Sequence, residues 1–343
     1  MIRQLRRLTR PVPALGTGVL AIAVYAEARD GRLHTRAAAE QGFEGVACVD
    51  DAARAAGLYA TIWRQHRFPW AREAAEGLLG FLGAMQDDDG GFANFLLDWD
   101  GRKNLSGTSS WSGGWPWTVR AMHALASGVA AFGTVAYVAR FERGLPCLDR
   151  PTPYLDLRAV AVLAALEYWQ ATGARHAATR ALTWAEEIAA HRVGDILPDI
   201  AGRADIHLWG HLQEVALAQV GAAFGRADLI EVARRSADVV LVPHAEHVRA
   251  SGPMQPFDAS CVVRGLDAVA QASGEARYLR LAEQARAWFT GRNSAGQPVY
   301  DRDLGLVYDG IDDRQVSTNS GAEANIEGAL ALLGSLPWHQ YSR

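Results

Sequence analysis

Apolar positions recur at spacings of three and four along most of this chain, the pattern of amphipathic helices. AREAAEGLLGFLGAMQ (71–86) carries it, as do LDLRAVAVLAALEYWQATG (155–173) and ARHAATRALTWAEEIAAH (174–191). Further periodic runs cover about 208–224, 227–240, 258–273, 276–289 and 321–336, and others begin at Asp51, Trp117 and Ala131. Together they predict about eleven helices of ordinary length, with a twelfth near the N-terminus. The helices fall into pairs. Short turns, QATGARH (170–176), AAFGRADL (222–229) and QASGEARYL (271–279), join the members of a pair, and each holds a glycine suited to a left-handed helix C-cap. Between pairs the connections are longer, at 87–114, 192–205, 243–257 and 292–318.

The two kinds of helix differ in composition. Those after long loops (DLRAVAVLAAL, SCVVRGLDAVA, IEGALALL) are small and apolar, as a crowded inner ring requires. Those after short turns (ARHAATRALTWAEE, ARYLRLAEQARAW) are charged on one face, as an outer ring requires. Roughly six such hairpins predict an all-α fold, an (α/α)6 toroid in one domain spanning 1–343, with short β-hairpins in long loops gathered at one end. FANFLLDW reads as a short strand with DWDG as a hairpin turn, and YDRDLGLVYDGI reads as a two-stranded hairpin.

Composition adds exclusions. A net charge of −4 over 343 residues gives no footprint for nucleic acid, and no stretch reaches the length of a membrane span. Cys48, Cys147 and Cys261 have no metal or redox spacing and read as buried small apolar side chains. Arg3, Arg6, Arg7 and Arg10 precede ALGTGVLAIAV and then AEA (26–28), the order of a secretory signal; the weightier reading takes the apolar run as a first strand or helix, leaving the protein cytoplasmic.

Candidate chemistry lies in the long loops. VDDAARA places Asp50 and Asp51 side by side at the start of an inner helix; one is expected to cap, its neighbour to meet a ligand. Four of eleven tryptophans, Trp99, Trp111, Trp115 and Trp117, fall within one loop, a platform for the C–H face of a sugar. NSGAE opens the last inner helix with Asn319 before it and Glu323 in its first turn, on the same face as Glu327. A closed ring brings that turn to the rim that holds Asp50 and Asp51. DIHLWGHLQE sets His207 and His211 one turn apart, a spacing that lacks the H-E-x-x-H pattern and a third ligand, so no metal and no cofactor is expected. His244 and His247 read as loop residues.

VDDAARA, QDDDGGFANFLLDWDGR, GGWPWTVRAMHAL and NSGAEANIEGALALL together resemble a bacterial all-helical domain of the six-hairpin glycosidase-like kind, often fused to or encoded beside glycosyltransferases. The likeness runs roughly from Gly45 to Leu336. It departs at Ala52, Ala53 and Ala324, and SSWSGGWPW stands where many relatives carry an acidic segment, which removes one candidate acid. The resemblance implies a carbohydrate ligand, a polysaccharide-synthesis partner such as a glycosyltransferase, and glycoside hydrolysis by paired carboxylates. Asp50, Asp51, Asp100 and Glu323 are the favoured carboxylates, with Asp98, Asp312 and Asp313 as further candidates; Asp98, the four tryptophans, His207, His211 and Asn319 are expected to bind substrate. Histidine acid/base chemistry in an epimerase or lyase and a non-catalytic glycan-binding subunit are the alternatives. QDDDGGF also resembles turns of the terpenoid cyclases and protein prenyltransferases, although ACVDD has Cys48 where a cyclase D-x-D-D acid begins.

Overall fold

In chain order the helices are α1 (Ile2–Leu8), α2 (Val49–His66), α3 (Pro69–Met85), α4 (Trp115–Phe132), α5 (Val135–Leu148), α6 (Leu155–Thr172), α7 (Arg175–Ala190), α8 (Gln213–Phe224), α9 (Ala227–Val239), α10 (Leu241–Glu246), α11 (Pro256–Ser273), α12 (Ala276–Arg286) and α13 (Ala322–Leu332). They belong to a computed structural model that describes residues 1–29, 32–35, 42–248, 252–312 and 314–335. Composition decides their layer. The largely apolar α6 buries 13 of its 18 residues, whereas α9 buries only Leu229, Ala233, Ser236 and Ala237. A helix apolar all round needs neighbours all round, so α6 belongs inside and α9 outside. The inner ring runs α2, α4, α6, α8, α11 and α13, each packed on the next, and α13 packs back on α2. Outside them α3, α5, α7, α9 and α12 each pack on the inner helix that precedes them, and α1 covers α13. This is the (α/α)6 toroid that the alternating composition predicts.

The short turns close as expected. Gly173, Gly225 and Gly274 sit at φ 74°, 67° and 75°, where an L side chain would be strained. Other boundaries differ from the periodicity. The helix expected from about residue 208 starts at Gln213, because Gly210 turns the chain at φ 82° and the residues before it curl around Asp199. The helix expected from Ala131 starts at Val135, since α4 runs on to Phe132 and ends at Gly133, φ 62°. The loop expected at 243–257 contains most of α10, the run expected to 289 tightens into a 3-10 turn at Ala287–Thr290, and Leu336 lies outside the described residues. The strand pairs are short. Phe95–Leu96 pairs with Ala47–Cys48 just before α2, a bridge from Leu96 to Lys103 closes the DWDG hairpin, and Tyr300–Asp301 pairs with Leu306–Val307.

The N-terminal segment is built into the outer layer. Ile2, Leu5 and Leu8 of α1 are buried, Gln4 Nε2 donates to the Ser320 carbonyl at 3.1 Å, and the signal-like apolar run supplies a strand, Leu20–Ile22, paired with Thr9–Pro11. Leu5→Ala is expected to cost about 2 kcal/mol, the low end for a buried leucine because an outer helix can settle into the space; urea unfolding measures it. No helix among the described residues is long and apolar enough to cross a membrane.

Candidate active site

A carboxylate in the first turn of a helix is favoured by the unpaired N–H groups there and by the helix dipole. Five of the six inner helices carry one: Asp50 and Asp51 on α2, Asp156 on α6, Glu214 on α8, Asp258 on α11 and Glu323 on α13. The remaining inner helix, α4, contributes Arg120. Local energetics accounts for each acid singly. Ring closure brings them together at the long-loop end.

Arg54, one turn into α2, is the hub. Its Nε lies 3.1 Å from Asp50 Oδ1, its Nη2 2.8 Å from Asp51 Oδ1 and 2.9 Å from Glu323 Oε2, and its Nη1 3.0 Å from Glu327 Oε1. Arg120 bonds the other oxygen of Asp50. Both guanidiniums lie over the Phe257 ring, at 4.9 and 5.9 Å, and both side chains are only 11% exposed. Glu323 and Glu327 thus do share one helix face, and that face meets the rim of α2. The capping expectation for the aspartate pair fails. Cys48 occupies the N-cap, its Sγ accepting from Asp51 N at 3.4 Å, and Asp50 N donates to Asn94 Oδ1 at 3.3 Å. Both carboxylates are thereby free to turn to the arginines.

Burial, reinforced by the charges of Asp50 and Glu323, outweighs Arg54 and raises the Asp51 carboxyl to about 7. Burial likewise raises Asp156, and its Oδ1 is buried without a hydrogen-bond partner. Asp258 is raised too, first by burial and then by the charge of Glu323. Asp258 also caps α11 in a reciprocal box with Gln255. Asp156 and Asp258 escaped the sequence reading because a lone aspartate at a helix start carries no signal beyond capping.

The two histidines of DIHLWGHLQE part company in the structure. His211 is wholly buried, with Nδ1 2.7 Å from Asp199 Oδ1 and Nε2 3.0 Å from Glu214 Oε2. With both ring nitrogens engaged and no exposed surface, it cannot bind a ligand. It is a strut. His207 stays half-exposed: its ring stacks on Trp209 at 4.2 Å, and its Nδ1 lies 2.8 Å from the Trp209 carbonyl. A carbonyl only accepts, so Nδ1 carries a proton, while Nε2 lies 3.8 Å from Asp199 Oδ2. The expected one-turn spacing on a helix is replaced by a loop wrapped around Asp199, whose Oδ2 accepts from His207 N at 2.6 Å. Among the described residues no His, Cys, Asp or Glu cluster is arranged to hold a metal ion.

The tryptophan platform is partly redrawn. Trp117 is buried, donating through Nε1 to the Phe92 carbonyl at 2.6 Å, and it packs so closely on Gly114 that a Cβ there would collide with its ring. Trp115 is half-buried under Arg158 at 5.1 Å. Trp99 lies under Arg10 at 5.0 Å, and Asp98 spends its oxygens on Arg102 and on the turn N–H of Asp100. Asp98, Trp99 and Asp100 therefore belong to a hairpin tip packed on the N-terminal segment, apart from the Arg54 hub. Trp111 remains open at 49% exposure, edge-on to Trp117. Trp209 is equally exposed and lies 6.5 Å from Phe257; it joins the candidate platform, although only its histidine neighbours drew attention in the sequence. Asn319 donates to the Tyr25 hydroxyl at 2.9 Å. Asp312 is exposed in a small hairpin with Gln315, and Asp313 lies outside the described residues. His244 is exposed on α10 and His247 just after it, and the three cysteines are free and buried.

A cavity of about 540 Å³ occupies the ring, yet it is not the depression that holds the carboxylates. Arg54, Arg120, Gly210, Phe257 and Glu327 form its roof, while Asp50, Asp51, Asp156, Asp258 and Glu323 do not line it. The roof layer separates two polar spaces: the acidic mouth on the long-loop side and the cavity on the short-turn side.

The fold is that of a sugar epimerase from a ruminal bacterium, to which the chain is 13% identical over 96% of its own length and 94% of the other's, with a TM-score of 0.71. It matches a D-mannose isomerase at 13% identity, 92% of each chain and a TM-score of 0.69. A family 76 glycoside hydrolase from a bovine Bacteroides thetaiotaomicron strain aligns at 12% identity over 91% of this chain and 72% of that one, with a TM-score of 0.63. No protein-family model and no curated protein matches the sequence.

Proposed function

We propose that the long-loop mouth binds an uncharged glycan and hydrolyses a glycosidic bond by carboxylate acid/base chemistry. The observation that carries this reading is the convergence of inner-helix carboxylates on Arg54, beside Phe257 and the open Trp209 ring. Asp258, its carboxyl pushed above the usual range by burial, donates a proton to the departing oxygen as the C–O bond breaks. Glu323, 46% exposed and oriented by Arg54, takes a proton from the water whose oxygen attacks the anomeric carbon. Four carboxylates (Asp50, Asp51, Glu323, Glu327) share Arg54 and Arg120, and Asp156 and Asp258 add two more acids at inner-helix starts, so uronates and sugar phosphates are repelled from this mouth. That argues against a lyase acting on acidic polysaccharide. The polar cavity, with arginine, glutamine and histidine in its wall, argues against an isoprenoid substrate.

His207 favours a second reading. A half-exposed imidazole stacked on the open Trp209 suits reversible proton transfer beside a sugar carbonyl, and the similar structures include a sugar epimerase and a D-mannose isomerase. A panel of neutral oligosaccharides and reducing sugars, incubated in D2O and followed by NMR, separates the two. Hydrolysis yields new reducing ends and loses at least about 100-fold in kcat/KM in both Asp258→Asn and Glu323→Gln, with circular dichroism unchanged. Deuterium entering at C2 of a reducing sugar, and lost in His207→Ala, supports the epimerase or isomerase. Binding without turnover makes the protein a glycan-binding module.

A further inference from the structure

The cavity on the short-turn side has a composition of its own. Its floor faces solvent through Gln65, Gln170, Gln219 and Gln271, near the C-terminal ends of α2, α6, α8 and α11, all exposed and without hydrogen-bond partners among the described residues. Its walls mix leucine and valine with three charged sets. Glu167 is neutralised by Arg64 at 2.9 Å and accepts from Ser127 Oγ at 2.6 Å. Asp267 pairs with Arg286, which Glu283 shares. Arg264, half-buried in the same wall, has neither an ion-pair nor a hydrogen-bond partner among the described residues. His123 lines the wall as well, its imidazole held toward the neutral form by burial and by the charge of Arg264.

Among the described residues Arg264 is therefore the guanidinium of this wall without a counter-ion, inside a cavity of small-molecule size. A partly desolvated guanidinium is costly to leave unpaired and presents a fork that matches a carboxylate or a phosphate. The glutamine amides offer donors and acceptors to hydroxyl or amide groups at the same level. We propose that this cavity binds a small polar organic anion, its oxyanion on Arg264 and its hydroxyl or amide groups on the surrounding glutamines. The site is opposite in charge preference to the long-loop mouth and separated from it by the Arg54–Phe257 layer, so it does not depend on the hydrolase reading.

Isothermal titration of the full chain with D-glucuronate, glucose 6-phosphate and glucose tests the proposal and separates a carboxylate from a phosphate ligand. At least one of the two anions is expected to bind about 10-fold or more tightly than glucose, with Arg264→Gln weakening that anion by about 10- to 100-fold, the worth of a charge-assisted hydrogen bond. Gln271→Leu, at an exposed position that leaves the ring intact, should weaken it severalfold, and Glu323→Gln on the opposite face should leave it unchanged. The proposal is overturned if neither anion outbinds glucose or if a folded Arg264→Gln keeps wild-type affinity. It is equally overturned if Glu323→Gln abolishes binding, which would move the ligand to the acidic mouth.

Discussion

Arg54→Met is expected to lose about 3–5 kcal/mol of folding stability at pH 7, the cost of removing one partner from a buried ionic cluster. Methionine keeps an unbranched stem against Phe257, so most of the loss is charge. Among the described residues Arg54 alone pairs with Asp51, Glu323 and Glu327, and only Asp50 retains a second arginine, Arg120. The deficit should depend on pH with a definite sign. Burial already lifts the Asp51 carboxyl to about 7, against the downward pull of Arg54; the variant removes that pull and lifts it further. A carboxyl whose folded pKa exceeds its unfolded value favours folding below the unfolded value and loses that advantage as pH rises through the folded one. The gap between wild type and variant should therefore be smaller at pH 5 than at pH 8 in urea unfolding. A gap that does not move with pH would reduce Arg54 to packing and sink the hub account. Arg54→Lys should recover only part of the loss, because one ammonium cannot reach all four carboxylates in the directions a guanidinium does.

His211→Phe carries the second large effect, again about 3–5 kcal/mol at pH 7. The ring volume is kept, but Asp199 and Glu214 are left buried with only the neutral donors of Gln213, Ser236 and the His207 amide. Burial alone would lower the imidazole pKa; Glu214 and Asp199 override it and raise it to about 10. The ion pairs therefore stabilise the fold fully below the ordinary histidine value of about 6.5, and that contribution drains away as pH climbs toward 10. Urea midpoints at pH 6, 8 and 10 should show the wild-type advantage over the variant shrinking with pH. An advantage that grows with pH would show that the folded protein holds His211 neutral. Because Asp199 also positions the His207 amide, the same variant should loosen the loop that presents Trp209 to the mouth.

The helices and their layering were legible in the sequence because each depends on local quantities: spacing of apolar residues, glycine at a C-cap, one charged face or none. The alternation between crowded apolar helices and half-charged ones was enough to predict a closed ring. The YDRDLGLVYDGI hairpin and the meeting of Glu323 and Glu327 with the rim of α2 followed from the same logic. Its failures came where a side chain's partner lies far along the chain. Cys48 rather than an aspartate caps α2 because Asp50 and Asp51 are drawn to Arg54 and Arg120, and α4 is 60 residues and more downstream. Four clustered tryptophans looked like one platform, but each answers to a different neighbour, and their closeness in sequence says nothing of shared direction. His207 and His211 looked equivalent until Asp199 and Glu214 were seen to enclose one and leave the other at the surface.

Local periodicity by itself determined that this chain is a ring of helical hairpins, with acids at the starts of its first and last inner helices. Only tertiary structure decided which acids are raised by burial, which arginines are spent on them, and that Arg264 has no partner among the described residues. It also decided that one layer of arginine and phenylalanine divides the ring into an acidic mouth and a separate cavity. The physical reason is that helix formation and layering are set by contacts within a few residues. A carboxylate's charge state and a cation's freedom are set instead by desolvation and by partners that only ring closure brings within about 4 Å.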